Sequence, residues 1–170
     1  YIPRFFTTIQ LLFAGNDTEG LHYGVIKTPE KFWLRWKEPC GEPCAKPHFT
    51  AEEYPNELDR SVLQLFEPAR LLEYIHDFII FDGGVKKAAR PNQYFAIKAA
   101  QPRVRNKQNG IIWHSQGSGK SLTMVWLAQW IRENVEDARV VIITDRDELD
   151  KQIENGFKDA GEQIKRATSG

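Results

Sequence analysis

Hydrophobic and polar positions in the first part of the chain predict a β-hairpin followed by a short helix. The apolar, β-rich run at 5–13 (FFTTIQLLF) and the segment at 21–27 (LHYGVIK) flank the turn-forming cluster GNDTEG. Thr28 and Pro29 then have the composition of a helix start, with Thr28 as the cap and Pro29 in the first position. We expect this helix to carry the core aromatics Phe32, Trp33 and Trp36.

The middle of the chain shows helical periodicity. Residues 57–82 predict a helix that is broken at Pro68 and ends at Asp82-Gly83-Gly84. Its apolar stripe consists of Leu71, Leu72, Ile75, Phe78 and Ile79. RPNQYFAIKAAQP, at 90–102, predicts another helix, with Pro91 in its first turn and Pro102 just beyond its end.

The last part of the chain predicts alternating strands and helices. Residues 110–113 form a short apolar run before a glycine-rich turn, and an apolar helix is expected over about 121–134. RVVIIT, at 139–144, is a continuous β-branched run, which is typical of a strand buried on both faces, and a second helix begins near Asp147. This order predicts an α/β fold with a right-handed βαβ unit and a parallel sheet.

A proline-rich segment separates the first part of the chain from the rest. Residues 38–56 contain four of the nine prolines, so we expect an ordered loop or linker with a domain boundary near its end. Cys40, Cys44 and His48 recur every four residues within it. A zinc site needs four ligands, so structural or incidental roles are favoured and metal binding is the alternative.

Composition narrows the class of protein. A hydrophobic content of 41% in 170 residues predicts a packed core. No apolar run approaches the roughly eighteen residues of a membrane helix, and we see no secretory leader. Two cysteines favour a reducing compartment, so we expect a cytoplasmic location without membrane contact. Because the chain starts at Tyr1, we also expect it to be an excerpt of a longer protein.

Charge is unevenly distributed although the net charge is zero. Residues 38–82 contain ten acids and three bases, whereas residues 83–132 contain nine bases and no acid. The basic stretch surrounds the glycine-rich turn, which favours a surface that faces a nucleotide or a nucleic acid. The alternative is an ordinary solvated surface.

The glycine-rich turn, HSQGSGKS, matches most of the phosphate-binding pattern G-x-x-x-x-G-K-[ST]. Glycines let backbone N–H groups approach phosphate oxygens, the next helix offers its positive end, the lysine reaches the outer phosphates and the hydroxyl binds Mg²⁺. His114 stands where the pattern has its first glycine. The predicted phosphate ligands are Gln116, Gly117, Ser118, Gly119, Lys120 and Ser121, with Ser121 also holding the Mg²⁺ of the nucleotide.

WHSQGSGKS followed by VVIITDRDELDKQ resembles the first motor motifs of the restriction subunit of type I restriction–modification enzymes, which are superfamily 2 helicase-like DNA translocases. That superfamily often lacks the first glycine, so His114 is compatible with the resemblance. RPNQYF resembles the family's adenine-reading segment, with Gln93 as the reader, because a side-chain amide can both donate to and accept from adenine. Thr144, Asp145 and Arg146 fall at the second motor motif, near the DNA backbone in such motors; a helix cap is the alternative.

The resemblance extends to the flanks and implies a domain order. Residues 2–37 look like the end of a PD-(D/E)xK nuclease domain, and LLEYIHDFIIFD resembles the entry to the motor. Residues 1–56 would then close the nuclease domain and its linker, and residues 57–170 would begin the first RecA-like P-loop domain. The implied cofactors are ATP and Mg²⁺. The implied partners are double-stranded DNA and the modification (methyltransferase) and specificity subunits.

The resemblance also implies that the catalytic groups lie outside this segment, with the nuclease carboxylates upstream and the acidic Walker B motif downstream. We therefore predict a type I site-specific deoxyribonuclease with ATPase and translocase activity in the parent protein. The segment itself should contain no catalytic residue and should be inactive alone. The alternatives are another superfamily 2 helicase or nuclease fusion, a small-molecule P-loop kinase, and a nucleotide-binding scaffold without turnover.

Overall fold

The computed structural model of the chain describes residues 6, 8–39, 56–144, 147–159 and 161, with the main chain alone for 147–152. The described strands and helices are β1 (Leu12–Asn16), β2 (Gly20–Gly24), β3 (Leu34–Arg35), α1 (Glu57–Leu65), α2 (Pro68–Asp77), β4 (Ile79–Asp82), β5 (Val85–Ala88), α3 (Pro91–Arg105), α4 (Lys120–Asn134) and α5 (Asp147–Asp159). They divide into a first unit, Tyr1–Ile79 with Lys86–Phe95, and a second unit, Ile80–Val85 with Ala96–Gly170. The mixed α/β class is confirmed.

The predicted hairpin is present in the first unit. β1 pairs antiparallel with β2, from Leu12 opposite Gly24 to Asn16 opposite Gly20, and β3 adds a third antiparallel strand. The Asn16 side chain closes the turn by accepting the backbone N–H groups of Thr18 and Glu19 at 3.0 and 2.7 Å. The strand predicted over 5–13 starts later in the described residues, because residues 8–11 are not in a strand and pairing to β2 begins at Leu12; residues 5 and 7 lie outside the described residues.

The segment after the hairpin corrects the predicted helix. It is a single 3₁₀ turn, Glu30–Phe32, flanked by Pro29. The Thr28 hydroxyl instead accepts the N–H of Val25 at 2.9 Å. Trp36 is buried as expected, but Phe32 is 49% exposed, since one short turn cannot direct every aromatic side chain inward.

Pro68 separates two helices, as the pattern predicts. α1 starts after Asn56, whose side-chain oxygen accepts the Asp59 N–H at 2.8 Å. α2 starts after Glu67, whose carboxylate accepts the N–H groups of Ala69 and Arg70. These side chains satisfy donors that the first turn of a helix leaves unpaired.

The expectation that this helix continues to Asp82 is wrong. α2 ends at Asp77, and Ile79–Asp82 is strand β4, which pairs with β5. Gly83 and Gly84 join the two strands with φ angles of 60° and 73°, which suit a tight hairpin turn. Residues 79–81, which are β-branched or aromatic, therefore form a strand that leads into the glycine turn, although the apolar spacing before them is helical.

An aromatic cluster forms the core of the first unit. Its ring centroids lie 4.7 to 6.1 Å apart, mostly in tilted or edge-to-face contacts. Its members are Tyr23, Trp36, Tyr74, Phe78, Tyr94 and Phe95. The hydroxyls of Tyr23 and Tyr74 both donate to the carbonyl oxygen of Ala89, the former at 2.8 Å. The hairpin, α2 and the chain entering α3 are thereby joined.

α3 continues past Pro102, where the pattern predicted its end. The proline removes one N–H from the helical ladder, but the helix end is closed by two other bonds. The N–H of Gln108 bonds the carbonyl of Arg103 at 2.8 Å, and the N–H of Lys107 bonds that of Val104 at 3.0 Å. This pair is a Schellman motif, which satisfies the last carbonyls of a helix.

Two helices form the core of the second unit. α4 packs on α5 through Val125, Ala128, Ile153 and Phe157, and Ile142 packs against this cluster. No helix in the described part of the chain is long and apolar enough to cross a membrane.

The two strands predicted in the second unit are not formed. Residues 110–113 and 139–144 have no strand pairing, and Trp113 and Ile143 are each 90% exposed. The strand buried on both faces that was predicted at 139–144 is therefore not confirmed in the described residues, no parallel pairing occurs among them, and the parallel sheet stays a prediction. A strand requires a hydrogen-bonded neighbouring strand, and these two ranges pair with no other strand in the described part of the chain.

Alkaline pH should unfold the first unit through its buried tyrosines. Burial is the largest cause that raises the pKa values of Tyr23, Tyr74 and Tyr94 above the ordinary 10.0. The folded chain therefore holds these protons more tightly than the unfolded chain. The resulting stability is complete below about pH 10 and is lost as the pH rises further.

Tyrosinate absorbance and near-ultraviolet circular dichroism should consequently change together in one cooperative step. Tyr74→Phe should reduce the absorbance change of that step by one tyrosinate. Titration of these three phenols before any loss of circular dichroism would contradict the prediction.

Candidate phosphate-binding loop

The turn before α4 has two glycines in the left-handed region of the backbone. Gly117 and Gly119 have φ angles of 77° and 83°, a region that costs other residues about 1–2 kcal/mol. α4 starts at Lys120 directly after Gly119, which has no side chain to cap the helix. The unpaired N–H groups at the start of α4 and the positive end of its helix dipole therefore lie at this turn, where they favour an anion.

Lys120 closes the loop on itself. Its Nζ donates to the carbonyl oxygens of His114 and Ser115 at 3.3 and 3.0 Å. The hydroxyl of Ser118 also donates to the Ser115 carbonyl, at 2.7 Å. The lysine side chain is exposed, so its ammonium group is positioned by the loop and remains accessible to an anion.

The predicted phosphate ligands lie together in this turn. Gln116, Gly117 and Lys120 are exposed, whereas Ser118, Gly119 and Ser121 are half-buried. The whole loop lies within the acid-free range 83–132, so no carboxylate of that range competes for the lysine. The arrangement can accept phosphate oxygens, and Ser121 at the first turn of α4 could hold a divalent cation carried by the ligand.

His114 shows why the first glycine of the pattern is dispensable. Its φ is not positive, so this position does not need the conformational freedom of glycine. Its carbonyl oxygen, which accepts from Lys120, is an atom that any residue supplies. Its ring Nδ1 is buried without a hydrogen-bond partner in the described structure, a feature that sequence inspection did not reveal.

Gln93 lies at the start of α3 and has a structural role there. The residue is only 2% exposed, and its Oε1 accepts the N–H of Arg90 at 2.8 Å. This is half of a capping box, in which the third helical residue reaches back to the cap. Gln93 belongs to the first unit and the glycine loop to the second, so adenine reading stays a prediction.

Other predicted site residues fall outside the described residues. Asp145 and Arg146 are among them, whereas Thr144 is described and is half-buried at the end of the β-branched run 139–144. Cys40, Cys44 and His48 also lie outside. Among the residues that the structure does describe, no group of three or more His, Cys, Asp or Glu side chains could hold a metal ion.

Comparison with known proteins gives consistent relatives. Residues 92–170 match the family model of the SWI2/SNF2 ATPases. The "Putative type I restriction enzyme MjaIXP endonuclease subunit" of Methanocaldococcus jannaschii is 34% identical over an alignment of 124 residues, and the match covers 66% of this chain and 12% of that protein. The type I restriction enzyme HindI endonuclease subunit of Haemophilus influenzae is 29% identical over 127 residues, with the same two shares.

A third relative is the type I restriction enzyme SauCOLORF180P endonuclease subunit of Staphylococcus aureus. It is 30% identical over an alignment of 105 residues, and the match covers 60% of this chain and 11% of that protein. The chain thus spans about 12% of the length of the first two relatives. No solved structure matches the chain.

Replacing Gly117 by Ala should weaken phosphate binding without unfolding the chain. A Cβ at this position would meet no atom within 4 Å, so the cost is conformational and comes from the φ of 77°. With alanine the unliganded loop should relax out of this conformation, and restoring it on binding costs up to about 1–2 kcal/mol, or about five- to thirtyfold in affinity for pyrophosphate, measured by titration calorimetry.

Gly110→Ala is the matched control, because its Cβ would make one ordinary contact, 3.5 Å from Arg103 Cδ, and its φ is not positive. The pyrophosphate affinity and the melting temperature of Gly110→Ala should stay close to those of the unchanged chain. Equal losses of affinity in both variants would contradict the assigned role of Gly117.

Proposed function

Because this chain is related in sequence to the endonuclease subunits of type I restriction enzymes, we propose that it is the nuclease–motor junction of such a subunit. In this proposal, the parent protein is a site-specific deoxyribonuclease and an ATP-dependent DNA translocase. The glycine loop holds the ATP phosphates. The observation that carries the proposal is the start of α4, where Gly119 and Lys120 follow a loop that the lysine itself closes.

The match to SWI2/SNF2 ATPases supports the motor half of the proposal. In such a motor, the loop N–H groups and Lys120 would hold the outer phosphates, and the Ser121 hydroxyl would bind Mg²⁺. The residues fit this ligand, because Lys120 donates to carbonyl oxygens that phosphate oxygens can replace. ATP with Mg²⁺ would supply the phosphoryl group whose hydrolysis drives movement on DNA.

We also propose the domain order that the sequence predicts, with residues 1–56 ending the nuclease domain and residues 57–170 beginning a RecA-like domain with a parallel sheet. The exposed apolar residues of 110–113 and 139–144 support the sheet, since such runs become buried when neighbouring strands pair with them. The first compact unit crosses the proposed boundary, because the Glu57 N–H bonds the Asp17 carbonyl at 3.3 Å.

The proposed partners are double-stranded DNA and the modification and specificity subunits of a restriction complex. Motor contacts to the DNA backbone carry no sequence information, so sequence choice would come from the specificity subunit. Thr144, Asp145 and Arg146 are proposed backbone contacts. The SWI2/SNF2 match also favours one second candidate, a superfamily 2 motor without restriction partners. Methyltransferase and specificity genes beside the parent gene would distinguish the two.

Lys120→Ala should greatly weaken ATP binding by the parent protein. Losing a charge-assisted bond to phosphate costs about 1.5–3 kcal/mol, or about ten- to hundredfold in affinity, and DNA-stimulated ATP hydrolysis should be lost with it. Fluorescent-nucleotide titration measures the affinity. Lys37→Ala, which removes an exposed lysine of the first unit, is the control and should have no effect.

Ser121→Ala should weaken ATP binding only when Mg²⁺ is present. An equal loss in the presence of a chelator would contradict the metal-binding role of this hydroxyl. Undiminished ATP binding by Lys120→Ala would contradict the proposed function as a whole.

Gln93→Glu should separate helix capping from adenine reading. Glutamate keeps an oxygen that accepts the Arg90 N–H and is common at this position of a capping box, so stability should fall less than in Gln93→Ala. Glutamate lacks the amide donor, so the preference of the parent protein for ATP over GTP should fall about two- to tenfold, as measured by competition binding. Full retention of that preference in Gln93→Glu would exclude adenine reading.

A further inference from the structure

The end of α3 presents a cluster of hydrogen-bond donors to solvent. We call residues 103–109 the basic cap. All of its side chains except that of Val104 are exposed, and it contains no acid and no aromatic residue. Its polar members are Arg103, Arg105, Asn106, Lys107, Gln108 and Asn109.

Lys107 occupies a backbone position that favours glycine. Its φ is 53°, and it is the residue that follows the helix end in the Schellman motif of α3. Glycine is the usual residue there, because a Cβ in the left-handed region is unfavourable. A lysine at this position therefore reduces stability relative to glycine.

The cations of the basic cap have no acidic partner in the described part of the chain. No carboxylate there pairs with Arg103 or Lys107, and the nearest stretch of sequence, 83–132, lacks acids altogether. The Arg105 guanidinium lies 5.0 Å from the centroid of the Trp130 ring. The negative end of the α3 dipole favours cations, which accounts for Arg103 and Arg105. It does not account for a lysine in place of glycine.

We propose that the basic cap binds the phosphate backbone of duplex DNA, at a surface separate in sequence from the glycine loop and from Thr144–Arg146. This inference rests on the proposed DNA-motor function. Arginine, lysine, asparagine and glutamine side chains all donate to phosphate oxygens, and such contacts position a protein on DNA without reading its sequence. A single strand would call for aromatic residues that stack on bases, and the cap has none.

Lys107→Gly in the full-length parent protein tests the proposal, because it removes the charge and relieves the backbone strain together. Thermal stability should be retained or increased. Affinity for a short duplex of arbitrary sequence, measured by fluorescence anisotropy without nucleotide, should fall about eightfold at about 0.1 M salt. The slope of log affinity against log salt should decrease by about 0.9, as expected for one lost phosphate contact.

Lys27→Gly is a closely matched control. Lys27 is also exposed and has a φ of 65°, but it lies in the first unit, in a segment that contains acids. Lys27→Gly therefore removes a lysine charge and relieves backbone strain in the same way as Lys107→Gly. Its duplex affinity and salt slope should remain those of the unchanged protein.

Each remaining outcome overturns the proposal in a recognisable way. Unchanged duplex affinity in Lys107→Gly, or an equal loss in Lys27→Gly, would refute the basic cap alone. Weaker binding of ATP with Mg²⁺, with duplex affinity unchanged, would assign the cap to the nucleotide site instead. Failure of the unchanged parent protein to bind duplex DNA at all would refute the proposed function and the cap together.

Discussion

The carbonyl oxygen of Ala89 is the point on which the first unit depends. It accepts the hydroxyls of Tyr23 and Tyr74, and the Ala89 N–H bonds the carbonyl of Phe78 at 2.9 Å. One buried residue thus joins a strand, a helix and the chain that enters α3. Gln93 lies four residues further along and directly before Tyr94 and Phe95, whose rings pack in the aromatic cluster, so the same core holds the helix start that carries Gln93. Packing in the first unit therefore controls where a predicted nucleotide-reading side chain sits.

Local chemistry was predictable wherever a few neighbouring residues decide the backbone. The hairpin turn, the break at Pro68 and the glycine loop before α4 all follow from glycine, proline or side-chain caps acting over a few positions. The two strands at 110–113 and 139–144 were not predictable in this way. Their apolar character is local, but strand formation requires a distant neighbour, and none is present among the described residues.

Parts of the candidate site also depend on geometry that a motif does not encode. The pattern identifies Lys120 but not the two carbonyl oxygens that hold its ammonium group. His114 departs from the phosphate-binding pattern, which has glycine at this position, yet its φ is not positive and glycine is therefore not required there. Conversely, Lys107 belongs to no sequence motif and becomes notable only through its dihedral angle. Motifs record side-chain identity, whereas these features are properties of the main chain.

The exposed apolar side chains at 111, 113, 141 and 143 have a consequence for protein quality control. A polypeptide that displays these residues without partner strands presents the kind of surface that chaperones and degradation systems recognise. Within a longer protein, these runs would remain unprotected during synthesis until the neighbouring strands emerged from the ribosome.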